Sequence, residues 1–196
     1  MTQITLIPQH AFLRVPWKNG QGFTYEIFKS CSADTDRFEW RLSIAEVKED
    51  GPFSNFEGYQ RNITVLDGRG MTLHVDDHPS GVLGPFQSFT FKGDATTTCI
   101  LAGGKIHDFN VIYDPKIVKA DVLWLTPEQC QNINIQHDSH CFLISGAGES
   151  TVQVDGSDYH LNTWDVVHIE TKDQAAQLSF PSQIGSTIGI VMISSL

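Results

Sequence analysis

One part of this chain is written twice, and the repeat limits what it can fold into more than any other feature. Val65-Leu66-Asp67-Gly68-Arg69-Gly70 returns 78 positions later as Leu143-Ile144-Ser145-Gly146-Ala147-Gly148. Thr72-Leu73-His74-Val75-Asp76 returns as Thr151-Val152-Gln153-Val154-Asp155 with one residue more, and Phe86 to Phe91 lies over Trp164 to Ile169 at 78 again. In each copy an apolar, strand-forming run enters a Gly-rich turn and leaves it in period-two alternation, which is the pattern of a hairpin. A one-residue slip confined to one hairpin is what a changed turn length produces, so the two copies read as a duplicated unit.

The remaining segments continue the same pattern. Phe38 to Val47 alternates, with Phe38, Trp40, Leu42 and Ile44 on one face and Arg41, Ser43 and Ala45 on the other. Short strands are expected at Arg61 to Leu66, Met71 to Val75, Gln87 to Phe91, Thr97 to Leu101 and Ile106 to Tyr113, and Asp50-Gly51-Pro52-Phe53 reads as a turn. Helical periodicity is almost absent. Its one trace is a turn at Thr126-Pro127-Glu128-Gln129, with Thr as N-cap and Pro as first helical residue. Two copies of an all-β unit with short strands predict a bicupin, meaning two packed jelly-roll-type β-barrels in one chain. The expected division places an N-terminal cupin barrel carrying the pocket at 1–116 and a C-terminal one at 117–196, with strands exchanged between them.

Charge and cysteine usage exclude several classes of partner. A formal net charge of -10 opposes nucleic acid and anionic membrane surfaces, and no Lys/Arg cluster offsets it. Cys31, Cys99, Cys130 and Cys141 have no C-x-x-C spacing, and the N-terminus has neither a charged n-region nor an apolar h-region, so the expected location is the cytoplasm with reduced thiols. The longest apolar runs are too short to span a bilayer. Strand edges leave a homodimer open.

Barrels of this kind often hold a transition metal through histidines and one carboxylate set a fixed distance before the hairpin glycine. Counted from Gly68 that place is taken by Arg61, and counted from Gly146 by Ser139, so neither copy supplies the acid. His137, His140 and His168 could meet in the second copy, but their spacing is not a ligand pattern. Neither a metal nor another cofactor is expected. An Arg where a metal site has its anion points to an anionic ligand, because the guanidinium fork matches carboxylate or phosphate. Arg41 and Ser43 face the same way as each other, and Asp108 and Asn110 share a face of the last strand of the first copy. Pro16-Trp17-Lys18-Asn19-Gly20-Gln21-Gly22 is a loop bearing an aromatic ring, an ammonium and an amide, followed by a strand in which Thr24, Glu26 and Phe28 should point one way. The glycine pairs lie inside hairpins rather than between strand and helix, and there is no G-x-S-x-G elbow, P-loop or H-E-x-x-H. No catalytic residue is assigned.

The ordered motifs Pro16-Trp17-Lys18-Asn19-Gly20 with Gly22, Thr24 and Glu26, then Trp40-Arg41-Leu42-Ser43-Ile44, Gly51-Pro52-Phe53-Ser54 with Gly58 and Arg61, and Asp108-Phe109-Asn110 resemble the HutD/Ves family of small bacterial bicupins over almost the whole chain. The resemblance implies a two-cupin fold of the RmlC-like jelly-roll type, no metal site, and a link to histidine utilisation. In that family the HutD branch is thought to be a non-enzymatic governor that binds N-formyl-L-glutamate or urocanate, while the Ves branch is stress-related. Gln21 and His107 depart from the family pattern, where a Gly and an Arg are usual. The reading is therefore a small-carboxylate binding protein with Trp17, Lys18, Asn19, Glu26, Arg41, Ser43, Arg61, Asp108 and Asn110 around its ligand. The alternative is a cupin-type isomerase or hydrolase acting on a similar acid.

Overall fold

A computed structural model describes residues 2–17, 22–31, 37–126, 129, 132–181 and 186–196. The chain divides into two compact units, one of residues 13–118 and the other of residues 1–12 with 119–196. The opening strand β1 (Gln3–Ile7) belongs to the second of these.

In the unit of residues 13–118 the strands are β2 (Leu13–Pro16), β3 (Phe23–Cys31), β4 (Phe38–Val47), β5 (Gly51–Pro52), β6 (Gln60–Asp67), β7 (Met71–Val75), β8 (His78–Leu83), β9 (Ser88–Lys92), β10 (Thr97–Leu101) and β11 (Ile106–Tyr113). They form a six-stranded sheet, β2-β3-β4-β11-β6-β9, and a four-stranded sheet, β5-β10-β7-β8. Val47, Ile63, Val65, Phe91 and Ile106 from the large sheet and Met71, Leu73, Leu83 and Cys99 from the small one make a single apolar core. This is the double-sheet packing that period-two strands adopt when each has one apolar face to bury.

The other unit contains β1 and β12 (Val118–Leu125), β13 (Ile133–Ile135), β14 (Ser139–Ala147), β15 (Ser150–Val154), β16 (Ser157–Leu161), β17 (Val166–Thr171), β18 (Ala176–Ser179) and β19 (Thr187–Ser195). Its sheets run β1-β17-β14-β19-β12 and β13-β18-β15-β16. Order for order, β12-β19-β14-β17 repeats β4-β11-β6-β9, and β13-β18-β15-β16 repeats β5-β10-β7-β8. The duplication reaches single hydrogen bonds. Asp76 and Asp155 both hold a positive φ, 46° and 47°. Each donates its N–H to the carbonyl of a residue at the start of the neighbouring strand, Thr96 just before β10 or Gln177 in β18, and accepts that residue's N–H on Oδ1. Phe86 and Trp164, 78 positions apart, are likewise left-handed at 61° and 69°. Bulky residues rarely adopt that conformation, so its recurrence at both places marks a shared ancestral turn.

The fold is all-β, a pair of cupin jelly rolls, each built as two facing sheets rather than one closed cylinder. At the expected turn, Thr126 N–H donates to Gln129 Oε1 and Gln129 N–H donates to Thr126 O, while Pro127 and Glu128 lie outside the described residues. Among the described residues no helix is long and apolar enough to cross a membrane.

One expectation from simple alternation is corrected. Phe28 does not share the face of Thr24 and Glu26, because a bulge after Glu26 adds a residue and brings Phe28 opposite Leu42. Its ring stacks on Trp40, with centroids 4.9 Å apart. The polar wall on β3 therefore ends at Glu26.

Candidate functional site

The inner face of the six-stranded sheet changes character along its length. On β4 it reads Arg41, Ser43, Ala45, Val47, and on β6 it reads Arg61, Ile63, Val65, so one end is polar and the other joins the core. Cross-strand register stacks the polar ends into rows, with Glu26 opposite Ser43 and Ser43 opposite Asn110, and with Ile112 between Arg41 and Arg61. Both faces of β4 are buried here, since Trp40, Leu42 and Ile44 on the other side are also covered. The polar face is thus no solvated exterior. It opens into a cavity of about 570 Å³, a volume suited to a small organic molecule.

Of the residues expected at the site, Trp17, Glu26, Arg41, Ser43, Arg61, Asp108 and Asn110 all line this cavity. Lys18 and Asn19 lie outside the described residues, as does Gln21. His107 lies on the opposite face of β11 from Asp108. Its Nδ1 is 2.8 Å from Asp67 Oδ2 and its Nε2 3.7 Å from Glu46, so its departure from the family pattern does not alter the cavity wall. In the C-terminal copy His140 Nδ1 and His168 Nε2 are 3.0 Å apart, whereas His137 is exposed beside Asp138. Burial, with His140 adding to it, pushes His168 down to about 4.

The two arginines define the electrostatics. Arg61 is only 5% exposed. Its Nη1 donates to Ser54 O at 3.2 Å and its Nη2 to Asn110 Oδ1 at 2.8 Å, but its Nε is buried and has no hydrogen-bond partner among the described residues. Arg41 Nε is also buried without a partner among the described residues. Aromatic rings pack around both. Arg61 lies 5.1 to 5.3 Å from the centroids of Phe53, Phe56 and Phe91, and Arg41 lies 5.2 Å from Phe56 and 5.6 Å from Phe38. Burial lowers Arg61 to about 10 even though Asp108 works against the shift, and it lowers Arg41 against the pull of Glu26. Asp108, 1% exposed, is pushed up to about 7 by burial, with Arg61 and Asn110 only partly offsetting it. Asn110 stands between the two charges, accepting from Arg61 and donating its Nδ2 to Asp108 Oδ1.

At the mouth Trp17 is held as a wall. Its indole Nε1 donates to Thr24 Oγ1 at 2.8 Å, and its backbone N–H to Gly22 O at 2.9 Å. A Cβ on Gly22 would come within 2.8 Å of Glu46 O and 3.1 Å of the Trp17 ring, so only glycine lets the ring lie this close.

Sequence patterns did not reveal the aromatic set around Arg61, the Ser54 carbonyl or the covering segment of Lys48 to Phe56. Gly51-Pro52-Phe53 signalled a turn, and nothing local to it showed that the turn folds back over the polar end of the sheet.

Two jelly-roll units descended from one sequence, one opening into a cavity walled by arginines, make this protein a bicupin. The family described as HutD matches residues 9–185, and the chain belongs to it. A 21.2 kDa protein from the hutC 3′ region of Pseudomonas putida is 50% identical over 124 residues, which is 63% of this chain and 65% of that relative. A conserved protein of unknown function from Pseudomonas aeruginosa superposes with a TM-score of 0.87 at 34% identity, covering 99% of this chain and all of the other. HutD from Pseudomonas fluorescens, solved in a formate condition, gives 0.84 at 33% identity, over 99% of this chain and 100% of that one. A bacterial pirin from Escherichia coli, at 10% identity and a TM-score of 0.64 over 98% of this chain and 99% of its own, shares the fold alone.

Proposed function

We propose that this protein is a cytoplasmic, non-enzymatic binding protein that senses a small carboxylate of histidine degradation and so governs histidine utilisation. N-Formyl-L-glutamate and urocanate are the candidate ligands. The observation that carries the reading is the pair of guanidiniums on the wall of one cavity, Arg61 buried and Arg41 partly buried. Burial disfavours both charged forms, and the carboxylates that act on them, Asp108 on Arg61 and Glu26 on Arg41, offset it only in part, so an anion entering the cavity is favoured. The guanidinium groups of Arg61 and Arg41, which line the cavity, receive the carboxylate. Glu26 and Ser43, in the next row of the same face, order a donor group at the ligand's other end. Trp17 and the Phe53 and Phe56 rings provide apolar walls for the carbon skeleton. The hutC neighbourhood of the Pseudomonas putida relative supports the choice of pathway.

Isothermal titration of the folded protein with N-formyl-L-glutamate and with urocanate tests the reading. Saturable heat with at least one of them is expected. Absence of heat with both rules out this ligand class.

A further inference from the structure

The cavity contains a carboxyl group that simple anion capture has no use for. Asp108 on β11 is buried, and its hydrogen-bond partner is the Asn110 amide, whose other end accepts from Arg61 Nη2. The amide orientation is thereby fixed, as a donor toward the carboxyl and an acceptor toward the guanidinium. Carboxyl, amide and guanidinium form one connected line from the back of the pocket to the place where an anion would dock.

The other groups around Asp108 leave this line as its main influence. On β10 the Cys99 thiol, pushed up to about 12 by burial and then by the Asp108 charge, stays neutral. On β4 and β3 the charged groups are Arg41 and Glu26, and Lys48, Glu49 and Asp50 stand on the covering segment. On β6 Arg61 is the cation that favours the ionised form of Asp108, and burial is the larger effect opposing it. An anion in the cavity beside the Arg61 guanidinium changes both in one direction. It offsets the cation and displaces water from the cavity, and each change strengthens the hold of Asp108 on a proton.

We infer that the pocket takes up a proton on Asp108 together with its anion, so that ligand occupancy reports the carboxylate and the pH jointly. The inference rests on the binding reading above and adds its regulation. Asn110 acts as the positioning residue that links the two charges. Because the bound form carries more protons than the free form, affinity falls as pH rises, by up to about tenfold per pH unit where the uptake is one proton.

The experiment is calorimetry of the whole chain with N-formyl-L-glutamate at pH 7.5 in HEPES and in Tris, whose ionisation heats differ. Both carboxyls of that probe remain ionised there, so any proton enters on the protein. The observed enthalpy should differ between the buffers by an uptake of a fraction of a proton up to one, and affinity should drop several-fold from pH 6.5 to 8.5. Asp108→Asn should bring the two heats together. Equal heats in wild type with clear binding overturn the proton coupling and leave the binding reading intact. A buffer difference that survives Asp108→Asn overturns the assignment to Asp108. No binding of formylglutamate or urocanate by folded protein removes both readings together. Should Asp108→Asn fail to fold, the carboxyl carbon resonance of Asp108 replaces it. Its titration must move upward on adding the probe, and an unmoved titration overturns the inference.

Discussion

Replacing Arg61 with Met separates a binding arginine from a structural one. The side chain is buried, and its fall from 12.5 to about 10 means that the surroundings disfavour the charged form by about 3 kcal/mol. Against this stand two hydrogen bonds from a charged donor, about 1.5 to 3 kcal/mol each, of which the one to Ser54 O is long at 3.2 Å. Methionine keeps most of the volume and the contacts with Phe53, Phe56 and Phe91, so the opposing effects nearly cancel. The expected change in ligand-free stability is within about 2 kcal/mol, or roughly 5 °C in melting temperature for a chain of this size. Affinity for formylglutamate should fall by about 2 to 5 kcal/mol, because a desolvated charge contact is lost. Thermal unfolding followed by circular dichroism, with titration of the same preparations, provides both numbers. A melting temperature lowered by much more than 10 °C would make Arg61 a structural cation and refute its role as the anion-binding group of the cavity. Unchanged affinity in a stable variant would place the ligand elsewhere.

Other consequences are measurable without a ligand. Asp108 is raised in the folded state, so its contribution to stability is present below the unfolded value near 4 and is lost as pH rises through about 7. Asp108→Asn should therefore gain on wild type between pH 4 and 8, by up to about 4 kcal/mol in denaturant titrations, and parallel profiles would show that the carboxyl is not raised. Thr24→Val removes the acceptor for Trp17 Nε1 and should lower stability by about 1 kcal/mol with a shift in tryptophan emission, whereas an unshifted spectrum would mean that the indole is held by packing alone. In the C-terminal unit a Cβ on Gly189 would come within 2.6 Å of Ile144 and 2.7 Å of Trp124. Gly189→Ala should thus cost about 1 to 3 kcal/mol, seen as a lower urea midpoint at unchanged slope.

What could be read from the sequence followed the range of the physics. Alternation and turn chemistry act over a few residues, so the strands of the duplicated hairpins and the shared face of Arg41 with Ser43, or Asp108 with Asn110, are legible in the order of the residues alone. The identity of Arg61 at a place where cupins hold an acid is legible for the same reason. The Phe28 error came from a single inserted residue, because a bulge changes a strand's facing without changing its composition. The aromatic set was hidden for a different reason. Phe53, Phe56 and Phe91 come from the covering segment and from β9, and only the closing of two sheets brings them to one guanidinium. The orphaned Nε atoms were also beyond reach, since an unsatisfied donor is a property of everything packed around it.

Whether the arginine-walled cavity holds a small carboxylate is decided by a crystal structure of the protein grown with N-formyl-L-glutamate. Ligand density is expected in the cavity, with carboxylate oxygens about 2.7 to 3.2 Å from guanidinium nitrogens of Arg61 and of Arg41. Binding seen by calorimetry with the ligand located away from both arginines would contradict it.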